Sequence, residues 1–161
     1  MDDFYRMQID QAIEKEEKEL SLIRPILLSA WCKDTASPVC QELWSTQNPA
    51  WGQCAVTALL LQDIFKGELL RTVVDGFWSH YYNRFPSGQE VDLTRGQFPK
   101  GTVVPYGQPI DRHHLLESER AQQAKTKERY ESLKANFYGL LLSAFIDLTI
   151  QKQKVLAVFG R

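Results

Sequence analysis

The sequence predicts an α+β protein in which a cysteine-bearing helix packs on a small antiparallel sheet, with further helices before and after it. Three observations carry that reading. Cys54 to Lys66 places Val56, Leu59, Leu60, Ile64 and Phe65 at helical spacing and stops at Gly67. Phe77 to Phe85 alternates aromatic and polar side chains, as a strand does. Pro86-Ser87-Gly88 then gives a hairpin signal, and Gln89 to Leu93 returns as the next strand.

In chain order, residues 3 to 30 read as helical, with Ile9, Ile13, Leu20 and Ile23 set among charges. The run Glu14 to Glu19 is expected to be a solvated face with local ion pairs. Pro25 is expected to break this helix or to open a new one. Lys33 to Trp51 is rich in turn formers and reads as a loop anchored by Leu43 and Trp44. Glu68 to Val74 reads as a strand and Asp75-Gly76 as a turn. Thr94 to Phe98 caps the returning strand, and Pro99 to Pro109 reads as a long Gly/Pro loop. Asp111 to Phe137 reads as helical. Leu140 to Leu148 is expected as a buried helix, and Val155 to Phe159 is open between helix and strand.

Composition bounds the function classes. The 161 residues are 43% hydrophobic and 24% charged, ordinary usage for one globular domain that needs no staple to fold. The formal net charge of -1 gives no field that favours nucleic acid or an anionic membrane. The acidic N-terminus does not fit a signal peptide, and the apolar run Phe137 to Ile150 carries Asp147 and is short for a bilayer span. The expectation is a soluble, cytoplasmic protein. Cys32, Cys40 and Cys54 are an odd number, which argues against a disulfide framework there. Cys32 and Cys40 lack a second ligand pair at zinc-site spacing, and His113 and His114 lack a partner, so all four are expected to be structural or surface residues.

The chemistry-bearing residues cluster around the cysteine helix. Cys54 falls in its first turn, where unpaired amides and the helix dipole favour a thiolate. On the strand, His80, Tyr82 and Arg84 share a face. A three-residue turn sets Tyr82 opposite Asp92 and makes Asp92 the diagonal neighbour of His80. A two-residue turn puts Asp92 on the other face. With the first geometry Cys54 is a nucleophile, His80 its base and Asp92 the group that orients the base. The Cys54 amide and the side chains of Asn48 or Gln53 are candidate oxyanion donors. Trp51, Trp78 and Tyr82 are candidate substrate contacts, whereas Phe77 and Tyr81 fit a core better.

The blocks Gly52-Gln-Cys-Ala-Val-Thr-Ala-Leu, Gly67-Glu-Leu-Leu-Arg-Thr, Ser79-His-Tyr-Tyr-Asn-Arg, Pro86-Ser-Gly-Gln-Glu-Val-Asp-Leu-Thr-Arg and Gln97-Phe resemble the YunG-like family of small bacterial proteins, over about residues 22 to 120. Residues 121 to 161 then form a C-terminal extension of the same domain. The layout is similar to papain-like and transglutaminase-like enzymes, in which a helix opens with the catalytic cysteine and later strands carry the histidine and the aspartate. That resemblance implies Cys54, His80 and Asp92 as the triad, with Asn48, six residues before Cys54, where papain-like proteases carry a glutamine. The function implied is a cysteine-dependent hydrolase or amide-transfer enzyme that needs no cofactor and acts on a small-molecule, peptide or protein substrate. The alternative is an inactive module of the same fold that binds a ligand or partner, and a third reading docks the chain through its charged helices.

Overall fold

The computed structural model describes residues 3–159; Met1, Asp2, Gly160 and Arg161, at the far ends of the expected terminal segments, lie outside it. Helix α1 (Asp3–Ala30) runs through Pro25 without a break. Pro25 and Ser21, whose carbonyl loses its helical partner there, are both exposed, so water can serve that carbonyl. The buried face of α1 is made by Glu16, Leu20, Leu27 and Ala30. Glu16 corrects the expectation of a wholly solvated charge run. Its carboxylate accepts the Ser87 amide at 3.2 Å and the Ser87 hydroxyl, strapping α1 to the hairpin tip.

After two 3₁₀ turns, Lys33–Thr35 and Pro38–Cys40, the chain enters α2 (Cys54–Phe65). Gly52 precedes it with φ +75, and a Cβ there would stand 2.6 Å from the Cys40 Cβ. The loop thus packs against the start of α2 at a distance only glycine allows. Within α2, Val56, Leu59, Leu60 and Leu61 are all buried in the main core.

Strands β1 (Glu68–Val74), β2 (Trp78–Arg84), β3 (Glu90–Val91) and β4 (Gln108–Ile110) form an antiparallel sheet in the order β3-β2-β1-β4. The class is therefore α+β with a small open sheet. Asp75 and Gly76 both take positive φ between β1 and β2, as a type I′ turn requires. Phe77 lies in that connection and is 66% exposed, which corrects the expectation of a core residue. Phe85 pairs with Gln89 across Pro86-Ser87-Gly88, the three-residue turn. β3 ends at Val91, earlier than expected, because the Asp92 side chain takes the Thr94 amide and hydroxyl at 3.0 Å each and turns the chain.

The expected loop to Pro109 ends instead in β4. Pro109 is tolerated there because β4 is an edge strand. One face of the sheet, with Leu69, Tyr81, Phe85 and Val91, packs on the helices, and the Asn83 amide donates to the Ala58 carbonyl of α2 at 2.9 Å. The opposite face carries Leu70, His80 and Tyr82 under the segment from 92 to 107. The Gly107 amide donates to the Tyr82 hydroxyl at 2.7 Å, and the Phe98 ring stands edge-on to His80.

The expected helix from Asp111 to Phe137 is divided. Asp111 caps α3 (Arg112–Glu117), Ser118 caps α4 (Glu119–Gln123), and Lys125 with φ 49 precedes α5 (Thr126–Phe159). Tyr130, Leu133 and Phe137 of α5 belong to the core, so the chain after residue 120 completes it. Val155 to Phe159 is helical. Leu140, Leu142, Phe145, Ile146 and Leu148 are exposed, which corrects the buried helix expected there. Thr126–Lys154, at 29 residues, is long and apolar enough to cross a membrane by length and composition alone, but its first turns pack into the core. Deleting residues 145–161 is expected to change folding stability by no more than ~0.5 kcal/mol, because residues 145–154 are exposed. Thermal melts of the full and shortened chains check this; a large loss would show that the segment packs.

Candidate active site

His80 and Asp92 meet. The ring Nε2 lies 2.6 Å from Asp92 Oδ2, with the His80 side chain fully buried and Asp92 16% exposed. Asp92 is positioned by its own turn: Oδ1 holds Thr94, which leaves Oδ2 for the ring. A carboxylate on Nε2 assigns that nitrogen its hydrogen in both the neutral and charged ring. Nδ1 is then the nitrogen left for chemistry.

Gln97 stands at Nδ1. Its Nε2 donates to Nδ1 at 3.2 Å, while its Oε1 accepts the Gly52 amide at 3.4 Å. Cys54, half-buried at the start of α2, also favours the charged ring. Burial opposes a charged His80. The hydrogen bond to Asp92 and the Cys54 side chain outweigh it and raise the pKa from 6.5 to about 9. A protonated Nδ1 cannot accept from the Gln97 amide, so charging the ring frees that amide to donate elsewhere.

Cys54 opens onto a cavity of about 340 Å³, and Trp51, Trp78 and Gln97 share its lining. Trp51 and Trp78 pack edge-to-face with centroids 6.3 Å apart. The other expected residues are placed elsewhere. The Asn48 amide donates to the Gln97 carbonyl at 3.3 Å, so it holds the turn that carries Gln97. Gln53 is fully buried and its amide donates to the Cys32 carbonyl at 2.9 Å, which leaves it no route to the cavity. Tyr82 is buried beneath the 92–107 segment, stacked 6.0 Å from His80 and bonded to Gly107. Tyr81 packs on the core and also lines the cavity. Cys40 lines it as well, and burial pushes its thiol up. Cys32 is half-buried, and His113 and His114 are exposed.

Gln97 is the site residue to which sequence reasoning gave no role. Its signal was present in the Gln97-Phe98 pair, but only the 3₁₀ turn Arg95–Gln97 brings that side chain under the ring.

These features define an α+β protein with a buried, hydrogen-bonded His–Asp pair beside a cysteine-lined cavity. The model of the YunG protein family matches residues 19–141, and the chain belongs to that family. It is 34% identical over 116 residues to a relative from Bacillus subtilis (strain 168) described as uncharacterized protein YunG. That match covers 71% of this chain and 88% of the relative. No solved structure matches the chain.

Proposed function

We propose that the chain is a cysteine-dependent hydrolase or amide-transfer enzyme on a papain-like or transglutaminase-like core. The observation that carries this reading is the 2.6 Å His80–Asp92 bond, which occupies Nε2 and leaves Nδ1, met among the described residues only by the Gln97 amide, as the ring nitrogen for Cys54. Nδ1 holds the proton taken from Cys54, so the reactive form is a thiolate–imidazolium pair, and the thiolate attacks a substrate carbonyl. The tetrahedral adduct collapses as the imidazolium protonates the leaving amine, forming a thioester. Water or a second amine then attacks the thioester and gives its proton to Nδ1, and collapse of that adduct releases the product and restores the thiolate–imidazolium pair.

The oxyanion has two donors in this reading, the Cys54 backbone amide and the Gln97 side-chain amide. Gln97 has no acceptor on Nδ1 while the ring is protonated, so its amide is available to the carbonyl oxygen when the thiolate attacks. Asn48 contributes only by holding the Gln97 turn.

The test is the pH dependence of Cys54 alkylation, read peptide by peptide so that Cys32 and Cys40 serve as internal references. The expected result is a Cys54 rate that stays high well below the ordinary thiol range near 8.5 and falls to an ordinary titration in His80→Asn. An ordinary thiol profile in the unsubstituted chain would overturn the nucleophile reading and leave the binding module.

A further inference from the structure

The cavity wall differs in charge from the chain as a whole. The formal net charge is -1, yet the wall carries Arg71, Arg120 and Arg129 against one acidic side chain, Asp75. Among the described residues none of these three arginines is in an ion pair, whereas Arg84 pairs with Glu68 and Glu90, and Arg112 with Asp63. Arg71 donates to the Ser79 hydroxyl at 3.0 Å.

Arg129 is the more telling case. It is 5% exposed, and its guanidinium meets only backbone carbonyls, those of Ala124 at 2.8 Å, Thr35 at 3.0 Å and Gly52 at 3.5 Å. A buried cation without a counter-charge is costly to keep charged. Burial does pull the Arg129 pKa down, while negative charge on Cys54 or Cys40 acts the other way. The carbonyls satisfy its hydrogen bonds, no carboxylate among the described residues is paired with it, and only charge on Cys54, Cys40 and Glu128 offsets its own. A cavity with fixed positive charge and low-polarity walls concentrates anions. The Trp51–Trp78 pair on the same wall offers aromatic surface.

We propose that this cavity takes an anionic substrate: a carboxylate or phosphate monoester joined to an aromatic or apolar body. Arg71 and Arg120 hold the anion, Arg129 adds buried positive charge, and the body lies against Trp51 and Trp78. This names the substrate class of the site above, and rests on that reading for the reaction but not for binding. Arginine forks match both oxyanions, so the chemistry they share is what the wall selects.

Two measurements on the full chain test it. In the first, the chain is pulsed with iodoacetate and iodoacetamide in equal amounts, and the two adducts on the Cys54 peptide are quantified. The urea-unfolded chain supplies the reference ratio. The folded chain is expected to favour iodoacetate at Cys54 by at least about tenfold over that reference. The preference should collapse in Arg71→Gln/Arg120→Gln, and shrink in about 1 M salt, where the Debye length is near 3 Å. Equal ratios in folded and unfolded chains, with Cys54 still reactive, overturn the anion site and leave the nucleophile standing.

In the second, tryptophan fluorescence is titrated with phenylacetate, phenyl phosphate and phenylacetamide. Saturation by an anion, lost in the double arginine variant, supports the site, and the anion that binds more tightly identifies the source. Phenylacetamide binding as well as both anions overturns it. If Cys54 resists both alkylating reagents while an anion still saturates, the anion site stands and the nucleophile reading falls.

Discussion

Asp92→Asn is expected to destabilise the chain by roughly 2–3 kcal/mol at pH 6 and by much less above pH 9. The His80 pKa of about 9 exceeds the 6.5 of the unpaired ring, so the folded state holds this proton more tightly than the unfolded state. Such a group contributes stability in full below about pH 6.5, and the contribution fades as pH rises through 9. The gap of about 2.5 units corresponds to about 3 kcal/mol, part of which belongs to Cys54. Asparagine keeps an acceptor for Nε2–H but removes the charge that stabilises the imidazolium.

Urea denaturation of both chains at pH 6, 7.5 and 9 measures this. The unsubstituted chain should lose stability across that range through this group, and the Asp92→Asn chain should lose less. Two curves that fall in parallel would show that Asp92 does not hold the His80 proton. The same variant should also move the Cys54 alkylation profile toward an ordinary thiol, a change a merely structural Asp92 would not produce. Hydrogen exchange of the Thr94 amide separates the two roles of the carboxylate, because an Asn side chain still accepts there.

What the sequence revealed and what it hid divide along local and non-local lines. The α2 boundary, the β1 span and the hairpin register follow from nearest neighbours: an apolar stripe closed by a break, a β-rich run, and a three-residue turn with a late glycine. The register alone makes Asp92 a neighbour of His80, which is why that pair could be read without coordinates. Their contact is nonetheless made by an Asx turn after a two-residue strand, rather than by a longer ladder. Gln97 could not be placed because the 3₁₀ turn that aims it depends on the distant Asn48 and Gly52.

The same division explains the departures elsewhere. Pro25 predicts a break only if its face of α1 is buried, and that face is solvated. Gln108 to Ile110 pairs as a strand because β1 offers it an open edge, which three residues do not announce. Leu140 to Leu148 is apolar enough for a core, yet α5 carries it past the last layer it could pack against. Burial of Glu16 depends on Ser87, 71 residues away in sequence.

Gly67→Ala tests how far the site depends on the fit of α2 to the sheet. The helix ends at Phe65; Lys66 caps it with φ 67 and Gly67 follows with φ 76, so two successive residues with positive φ turn the chain into β1. A Cβ at Gly67 would stand 2.2 Å from the Arg84 carbonyl oxygen and 3.1 Å from the Phe85 Cα. Both obstacles are backbone, so neither can rotate away. Left-handed strain of about 1–2 kcal/mol and overpacking of about 1–3 kcal/mol together predict a loss of roughly 2–5 kcal/mol. Gly88→Ala supplies the contrast: its φ is +90 but nothing lies within 4 Å, so only the strain remains, about 1–2 kcal/mol. A comparison of Tm separates them, and equal losses would show that contact with Arg84 does not matter. If Gly67→Ala still folds, relief of the contact must part the end of β2 from the α2–β1 turn. His80 lies on β2 and Cys54 on α2, so Cys54 alkylation at pH 6 should slow in Gly67→Ala and stay unchanged in Gly88→Ala. That outcome would tie the reactivity of the thiol to the glycine that lets helix and strand meet.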